Sequence, residues 1–414
     1  MFETFKRQIQ PLINVYHLLR AIFANIFYGF PSRRLKVIGV TGTDGKTTTV
    51  HLIYHILKNA GKKASMVSSI YAKIGREEFS TGLHVTTPDA QLLQKLLKQS
   101  VVNGDEYFIL ETTSHGLDQN RNWGIEYQVG VISNVTDEHL DYHKSYKRYL
   151  LAKAKMLLNS RVSLINKDDK SFDPLRQILE SAGRKYYTYG LKGSVDFNFN
   201  SRTEIDRSIT KYNNYNYLAA YAVSSILKIP VEGVKKALKS FRLPMGRFET
   251  VYDKDFRVII DFAHTPNSIY KVLEAISDQL SEKKKLIHVF GSAGLRDQRK
   301  RPALGAASGK FADIVILTEE DYRTEKPEKI SAEIAVGLRR KGFKETSPKF
   351  VVPHSKIYAV ITDRQKAIEK AINIAKKGDI VVLTGKSHEK SLARGKKEYP
   401  WNEKKAVLDI IDAK

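Results

Sequence analysis

Short apolar runs alternate with helical patterns along the chain from Lys36 onward. Buried strands are predicted at "KVIGV", "YFILET", "VGVISNV" and "VSLIN", and a helix at "TTTVHLIYHILKNAG". After "LPMGRFE" the alternation resumes, with strands predicted at "RVIIDFAH", "KLIHVFG", "ADIVILT" and "DIVVLTG". Alternation of this kind predicts parallel sheets with crossover helices. The sequence therefore predicts an α/β fold with two such domains.

Composition and charge limit the partners and the chemistry. The 414 residues contain no cysteine, which excludes disulfides, thiolate metal sites and cysteine nucleophiles, and favours a cytoplasmic protein. The net charge of +24 predicts attraction to anions. The basic residues are spread along the chain, and no aromatic and basic recognition motif accompanies them, so no nucleic-acid partner is predicted.

Residues 11–36 form an apolar segment that polar residues interrupt and basic residues follow. Asn14 and Arg20 make it a poor transmembrane span, and no signal-peptide cleavage site follows it. Leu12, Val15, Leu19, Ile22 and Ile26 recur at helical spacing, and Pro11 suits the first turn of an amphipathic helix. Two interpretations stay open: the apolar stripe packs on the next domain, or it lies in an anionic membrane surface.

A glycine-rich loop joins the first predicted strand to the helix that follows it, in "VIGVTGTDGKTTTV", residues 37–50. Backbone N–H groups at such a junction bind phosphate, and glycines permit the close approach. The match to the common phosphate-loop pattern is imperfect, because its first glycine would fall on Val40. Lys46 would contact the β and γ phosphates, and the Thr47 hydroxyl would bind Mg²⁺. The predicted nucleotide contacts of this loop are Gly42, Thr43, Gly45, Lys46, Thr47 and Thr48.

Two further side chains follow predicted strands, at the sheet edge where α/β proteins bind ligands. Glu111 ends the strand "YFILE", and His139 comes soon after "VGVISNV". Together with Thr47 they are candidate ligands for Mg²⁺ beside a nucleotide phosphate. A single histidine is more often structural, so the joint position of the two residues carries the prediction.

An ordered series of motifs resembles the Mur ligases, and within them the MurE branch. The motifs are "TGTDGKTTT", "ETTSHGLD", "NVTDEHLDYH", "LAKAKML", "GRFE", "DFAHTPNS", "FGSAGLRDQRKRP", "TEEDYRTEKPE" and "LTGKSHE", between residues 37 and about 412. The resemblance implies a P-loop-type central domain and a C-terminal Rossmann-like domain. It also implies an ATP-dependent ligase of peptidoglycan synthesis, which adds an amino acid to a UDP-MurNAc-L-Ala-D-Glu-type acceptor through an acyl phosphate.

The resemblance assigns further residues to the nucleotide and its metal. Lys153 matches the lysine that the family carbamylates, which would help to hold a second Mg²⁺, although Lys155 is close enough for a register error. Asn216 would lie near the adenine. From the C-terminal domain Arg247, Asp261 and the catalytic residue His264 would close over the nucleotide. Lys46, Lys153 and His264 are then the predicted catalytic residues.

The resemblance also assigns the two substrates that are joined. Acceptor contacts would come from Thr86, Thr87, Ser114 and His115. The incoming amino acid would contact Arg296, Arg323, Gly385 and Glu389, which match positions that bind meso-diaminopimelate. The family motif there reads D-N-P-R, whereas this chain has Glu320, Asp321, Tyr322 and Arg323. The retained Arg323 favours diaminopimelate, and L-lysine stays the alternative.

The chain departs from the family pattern before the phosphate loop, where MurE proteins carry a UDP-binding domain. The predicted division is 1–36 for an N-terminal helix and link, 37–243 for the ATP-binding domain and 244–414 for the amino-acid-binding domain. The acceptor is then either UDP-linked or, as in MurT-like enzymes, a lipid-linked muropeptide. The lack of cysteine in this chain argues against the MurT-like alternative with a lipid-linked acceptor. A non-catalytic nucleotide-binding scaffold is a third interpretation. The expected protein is a monomer in the cytoplasm, with contact to the inner membrane face left open.

Overall fold

The alternating strands and helices build two separate sheets in the computed structural model, which describes residues 2–82, 86–199, 213–349 and 356–413. Of residues 2–9 it describes the backbone alone. The described part of the chain divides into two compact units, with the boundary between Arg242 and Leu243. The structure confirms the predicted α/β class, because both sheets are mostly parallel and helices join their strands.

The described part of the first unit contains a sheet in the order β4-β3-β2-β5-β1-β6-β7-β8. Its strands are parallel except for the β2–β3 and β3–β4 pairs, which are antiparallel. The strands are β1 (Lys36–Thr41), β2 (Ala64–Val67), β3 (Ala72–Ile74), β4 (Glu77–Phe79), β5 (Tyr107–Glu111), β6 (Tyr127–Ile132), β7 (Ser160–Asn166) and β8 (Tyr186–Tyr189). Helices cover the sheet, so the central strands read as continuous apolar runs rather than alternating ones.

The helices of the first unit follow the strands along the chain. They are α1 (Phe2–Tyr28), α2 (Lys46–Asn59), α3 (Ala90–Val102), α4 (Ser114–Asp118), α5 (Leu140–His143), α6 (Tyr146–Leu158), α7 (Phe172–Ser181), α8 (Asn214–Ile226) and α9 (Val231–Ser240), with a short 3₁₀ turn at Pro31–Arg34. The side chain of Asp89 caps α3 by accepting from the backbone N–H of Gln91 and Leu92. The helix that the sequence predicts before Gly61 corresponds to α2, which ends at Asn59.

The described part of the second unit contains a sheet in the order β13-β14-β12-β11-β15-β10-β9 and a two-stranded hairpin, β16-β17. The strands are β9 (Glu249–Asp253), β10 (Arg257–Asp261), β11 (Leu286–Phe290), β12 (Ile314–Leu317), β13 (Lys344–Glu345), β14 (Ile357–Val360), β15 (Ile380–Thr384), β16 (Ser391–Arg394) and β17 (Lys397–Pro400). The helices are α10 (Pro266–Ser277), α11 (Arg301–Phe311), α12 (Pro327–Arg340), α13 (Arg364–Ile374) and α14 (Glu403–Asp412). The sequence prediction missed the hairpin, whose β17 is short and exposed along its whole length.

The N-terminal helix differs from the prediction in two ways. Pro11 lies inside α1 rather than in its first turn, because the helix already begins at Phe2. A proline inside a helix removes one backbone hydrogen bond, and here the helix continues on both sides of it. Packing of the apolar stripe on the domain, one of the two interpretations left open, is wrong, since Leu12, Val15, Leu19 and Ile26 are exposed. Ile22 is partly buried. The opposite face of α1 contacts the domain instead.

None of the helices that the structure describes combines the length and the apolar character that crossing a bilayer would require.

Candidate active site

The loop between β1 and α2 has the backbone shape of a phosphate-binding loop. Gly42 and Gly45 have φ values of 149° and 84°, which favour glycine. A Cβ on Gly42 would lie 1.9 Å from Ser133 Oγ, so a larger residue has no room. The end of the neighbouring β6 fixes the loop, because the backbone N–H of Thr43 donates to the Asn134 carbonyl at 2.8 Å. Contacts within the protein therefore fix the shape of this loop.

The first turn of α2 places two predicted phosphate and metal contacts beside the end of β5. The Thr47 hydroxyl donates to the Glu111 carboxylate at 3.0 and 3.1 Å. The backbone N–H of Ser69 donates to the same carboxylate at 2.8 Å. The Lys46 ammonium donates to the Thr43 carbonyl at 2.8 Å, and so lies over the loop. The structure thus brings Lys46, Thr47 and Glu111 together, and it buries Thr48 behind them.

Lys153 is buried on the other side of the loop. Its side chain is 1% exposed, and its ammonium donates to the Gly42 carbonyl at 2.6 Å. Burial, reinforced by the charge of Lys46, holds the pKa of Lys153 well below its usual range. Lys155, the alternative in the sequence, has a side chain that is 45% exposed and lies 3.8 Å from Asp118. Of the two lysines, only Lys153 contacts the phosphate loop.

A cluster of aromatic rings extends from the loop to two other predicted residues. The hydroxyls of Tyr149 and Thr43 lie 3.0 Å apart, and the Tyr149 ring lies 6.1 Å from that of His139. His139 has a φ of 55° at the start of α5, and its ring lies 4.8 Å from that of His115. Burial lowers the pKa of the adjacent His143 to about 4, so this ring is neutral near pH 7. Sequence patterns missed Tyr149, which no motif marks.

The candidate acceptor residues meet at the end of β5 and the start of α4. The Thr87 hydroxyl lies 3.1 Å from that of Thr113 and accepts from the Thr113 N–H at 2.9 Å. Arg121, which the sequence prediction did not include, donates to the Thr87 carbonyl at 2.9 Å. The buried Ser114 hydroxyl has no hydrogen-bond partner within the described ranges. Thr86 is partly exposed beside Thr87.

Asn216 contacts the phosphate loop. The sequence prediction placed it near the adenine and did not include this contact. Its side-chain oxygen accepts from the Thr49 hydroxyl at 3.3 Å, and its amide donates to Asn213 at 3.0 Å. A Cβ on Gly45 would lie 2.2 Å from that oxygen. Asn216 therefore supports the loop from α8, and the adenine contact stays a prediction.

In the second unit, the three residues predicted to close over the nucleotide lie around the end of β10. Asp261 is buried at the end of β10 and accepts from the N–H of Phe248 at 2.8 Å and of Ala263 at 2.7 Å. The Arg247 guanidinium lies 4.8 Å from the centre of the Phe262 ring. The His264 ring donates from Nδ1 to the Phe262 carbonyl at 2.8 Å. Asp261 thus shapes the loops that carry Arg247 and His264.

The predicted amino-acid contacts gather where β11, β12 and β15 end. The Arg323 guanidinium donates to the carbonyls of Gly294 at 2.9 Å and Asp321 at 3.2 Å, which joins its loop to the one carrying Arg296. Arg323 itself has a φ of 52°. Gly385 has a φ of 100°, and a Cβ there would lie 2.6 Å from the carboxylate of Glu320.

A buried lysine, which the sequence prediction did not include, holds this cluster together. The Lys386 ammonium donates to Asp321 at 2.8 Å and to Glu389 at 2.5 Å. Burial alone would lower the pKa of Lys386, but the two carboxylates outweigh it and raise the pKa. Burial also raises the pKa of Glu320 to about 7, with the charge of Asp321 adding to the effect.

Two family profiles match the chain in its two units. The profile of the Mur ligase middle domain matches residues 40–224, and that of the Mur ligase glutamate ligase domain matches residues 246–387. The chain belongs to the Mur ligase family. Both profiles lie where the strand-end clusters were found, and together they cover most of this Mur ligase.

Curated relatives of this Mur ligase share a name. The UDP-N-acetylmuramoyl-L-alanyl-D-glutamate–2,6-diaminopimelate ligase of Aquifex aeolicus (strain VF5) is 37% identical over 407 residues, which covers 94% of this chain and 80% of the relative. The ligase of that name from Cytophaga hutchinsonii is 36% identical over 409 residues, with 94% and 80% covered. These values place the chain close to the MurE branch, as the motifs predicted.

Solved structures agree on the fold. A 2,6-diaminopimelate ligase of the same name superposes with a TM-score of 0.58 at 28% identity, covering 92% of this chain and 78% of that one. Escherichia coli FolC in complex with DHPP and ADP superposes with a TM-score of 0.70 at 17% identity, covering 96% and 93%. The second likeness shows a shared fold alone.

Proposed function

We propose that this Mur ligase uses ATP to join meso-diaminopimelate to a UDP-MurNAc-L-Ala-D-Glu-type acceptor in peptidoglycan synthesis. The carrying observation is the strand-end cluster of Lys46, Thr47, Glu111 and Lys153 around the glycine-rich loop that follows β1. The shared name of the curated relatives supports the choice of substrates. We assign ATP and acceptor binding to residues 37–243 and amino-acid binding to residues 244–414.

The chemistry needs two transfers. The acceptor carboxylate attacks the γ-phosphorus of ATP and ADP leaves, which forms an acyl phosphate. The amine of the amino acid then attacks the acyl carbon, phosphate leaves, and the amine loses a proton. Negative charge develops on phosphoryl and acyl oxygens in both steps, so fixed cations and N–H groups stabilise the transition states. The Gly42–Gly45 loop and Lys46 are placed to supply them.

The oxygen donors at the loop fit Mg²⁺. Thr47 and Glu111 present a hydroxyl and a carboxylate within 3.1 Å of each other. Mg²⁺ prefers such hard donors and keeps waters and substrate phosphates as its remaining ligands, so a few protein ligands suffice. No group of three or more acidic or histidine side chains suited to a metal occurs within the described ranges. When bound, Mg²⁺ would neutralise phosphate charge, with His139 as a further ligand.

Lys153 suits the carbamylation that the family resemblance implies. CO₂ reacts with a neutral amine, and burial lowers the pKa of Lys153, which favours the neutral form of its amine. A carbamate there would turn a cation into an anion beside the phosphate loop and could hold a second Mg²⁺.

The acceptor is assigned to the surface at the end of β5. Thr87 and Ser114 present hydroxyls there, with Thr86 and His115 beside them, and the buried Ser114 hydroxyl has no partner within the described ranges. An acceptor carbonyl or carboxylate would satisfy this hydroxyl.

The amino acid is assigned to the cluster around Lys386. Arg323 is fixed by two carbonyls and Arg296 follows on the adjoining loop, so the two cations suit carboxylates. Glu389 would accept from an ammonium. The Asp321 that replaces the family asparagine is neutralised by Lys386, so the exchange adds no uncompensated charge. The two arginines favour diaminopimelate, which has two carboxylates, over L-lysine, which lacks the second one.

The decisive experiment is phosphate release from MgATP with UDP-MurNAc-L-Ala-D-Glu and meso-diaminopimelate, L-lysine or no amino acid. We expect release with meso-diaminopimelate and a product of the matching tripeptide mass. Lys46→Ala should lower kcat by roughly a hundredfold or more, as loss of one oxyanion donor does. Lys58→Ala, on the exposed face of the same helix, should not change it.

Two outcomes would contradict the proposal. Release with L-lysine alone would overturn the choice of amino acid. If the protein binds ATP but releases no phosphate with any amino acid, the assignment of a UDP-linked acceptor is overturned. A lipid-linked muropeptide would then be the acceptor to test. We propose that the protein acts as a monomer in the cytoplasm, where ATP and UDP-linked acceptors occur.

A further inference from the structure

The N-terminal helix α1 presents an apolar face that no described residue covers. Seven large apolar side chains on it are each between 53% and 69% exposed: Leu12, Val15, Tyr16, Leu19, Phe23, Ile26 and Phe27. At 100° per residue these positions fall within one third of the helix circumference, over a length of about 24 Å. None of these seven residues is charged. Scattered apolar residues are common on protein surfaces, but a continuous stripe of this size indicates a binding surface.

The opposite face of α1 attaches the helix to the first unit, and it does so through small and polar residues. Ala21 and Ala24 are buried. The Asn25 amide donates to the Trp123 carbonyl at 2.8 Å, and the Asn14 amide donates to Asp118 at 3.1 Å. These hydrogen bonds fix the rotation of the helix about its axis. The apolar face is therefore held outward by specific contacts.

A basic pocket lies at the C-terminal end of α1. Its volume is about 620 Å³, and its lining includes Arg33, Arg161, Arg184 and Lys155 with a single carboxylate, that of Glu126. Phe30, which follows α1, lines it as well, and the Arg33 guanidinium stacks 4.3 Å from the Phe30 ring. The pocket is thus continuous with the end of the helix and carries an excess of positive charge.

An exposed tryptophan joins the two features. Trp123 is 39% exposed, lines the pocket, and is bound through its carbonyl to Asn25 of α1. Tryptophan is enriched where proteins meet the boundary between water and lipid, because its ring is apolar and its N–H is polar.

We infer that α1 and the basic pocket together dock the protein on an anionic lipid membrane, with α1 lying in the plane of the interface. The apolar stripe would enter the boundary of the acyl chains, and the pocket cations would bind lipid phosphates. Charge complementarity selects this occupant, since the chain carries +24 and the cations are concentrated at the end of the stripe. The inference does not depend on the ligase activity.

The test is co-sedimentation with vesicles. We expect the protein to bind vesicles of equal parts phosphatidylcholine and phosphatidylglycerol, and not vesicles of phosphatidylcholine alone. Leu19→Glu with Phe23→Glu should reduce binding about tenfold or more, because two charges then enter the apolar boundary. Val102→Glu with Val231→Glu is the matched control, since both valines are exposed and neither belongs to α1. The control pair should bind as the wild type does.

A second pair of variants separates the pocket from general charge. Arg33→Ala, Arg161→Ala and Arg184→Ala combined should weaken binding about tenfold or more, at roughly a factor of five per basic residue near an anionic surface. Arg340→Ala, Lys341→Ala and Lys344→Ala combined remove the same charge from exposed positions of the second unit. This control should weaken binding far less. Equal losses in the two triple variants would overturn the pocket as a lipid site.

A third readout does not depend on sedimentation. The chain has two tryptophans, so a Trp401→Phe variant leaves Trp123 as the only one. Its emission should shift to the blue on addition of the anionic vesicles and stay unchanged with the neutral ones. No shift and no sedimentation of the wild type would overturn the inference. A doubled mass in light scattering that Leu19→Glu with Phe23→Glu abolishes, without vesicle binding, would assign the face to a second copy instead.

Discussion

At the scale of single residues, burial sets the charge state of side chains that the sequence leaves ambiguous. Lys153 is a lysine in a helix of basic and apolar residues, yet it lies under the phosphate loop with its pKa well below the usual range. Glu320 is one of two adjacent glutamates, and burial raises its pKa to about 7. Burial also lowers the pKa of His288 to about 3, which keeps that core histidine neutral. Each shift follows from desolvation of the charged form.

Lys153 should therefore carry a carbamate when CO₂ is present. We expect a carbamate carbonyl signal in ¹³C NMR of protein incubated with ¹³C-labelled bicarbonate, because the neutral amine is the reactive form. Lys153→Ala should remove the signal, and Lys155→Ala, at the exposed neighbouring lysine, should keep it. Persistence of the signal in Lys153→Ala would refute the assignment.

Glu320 should make the second unit less stable as pH rises. The folded state keeps the proton up to about pH 7, whereas an unfolded glutamate releases it near its usual value of 4.5. The folded state thus binds more protons in this window, so the free energy of unfolding falls as pH increases through it, by at most about 3 kcal/mol. Glu320→Gln should flatten the decline in Tm between about pH 5 and pH 8. Glu369→Gln, at an exposed position, should leave the decline unchanged.

At the scale of elements, the candidate functional residues of each unit gather where parallel strands end. In the first unit the ends of β1, β5 and β6 carry the phosphate loop, Glu111 and the Ser133–Asn134 pair that holds the loop. In the second unit the ends of β11, β12 and β15 carry Arg296, Arg323 and the Lys386 cluster. Neighbouring parallel strands point the same way, so residues far apart in sequence meet at one edge. The α1 helix contacts the first unit beside its edge, since the Asn14 amide donates to Asp118 of α4 at 3.1 Å.

The phosphate loop should tolerate no side chain at Gly42. Gly42→Ala combines a φ that favours glycine with a Cβ 1.9 Å from Ser133 Oγ, so the loop must shift. We expect MgATP affinity to fall about tenfold or more in isothermal titration calorimetry, since the N–H groups lose their positions. Gly61→Ala is the control, because Gly61 also has a positive φ but nothing near its Cβ position. It should lower Tm slightly and leave affinity unchanged. Unchanged MgATP affinity in Gly42→Ala would contradict the assignment of this loop to the nucleotide phosphates.

At the scale of the whole molecule, the positive charge acts on every anionic ligand. The chain carries +24, and both the proposed nucleotide and the proposed acceptor are anions. A strongly charged surface raises the encounter rate of opposite charges, and salt screens it over about 10 Å. The same charge supports the docking of α1 and its pocket on an anionic membrane.

Salt should therefore change the KM values of the two substrates of the ligase reaction by different amounts. We expect the KM of the anionic acceptor to rise several-fold as NaCl is increased beyond about 0.15 M, with kcat little changed. The KM of meso-diaminopimelate, whose charges sum to zero near pH 7, serves as the internal control and should change less. An equal rise for both substrates would indicate that salt perturbs the protein itself rather than the attraction.

The sequence by itself determined the α/β class, the glycine-rich loop between β1 and α2, and the order of the family motifs. These are local patterns: strand and helix periodicity, glycines between a strand and a helix, and short runs of polar residues at strand ends. The tertiary structure decided which of Lys153 and Lys155 is buried, that Lys386 joins Asp321 to Glu389, and that Asn216 supports the phosphate loop. It also decided that the apolar face of α1 points outward, which the sequence pattern had left open. Burial and pairing depend on which elements pack together, and periodicity along one element does not contain that information.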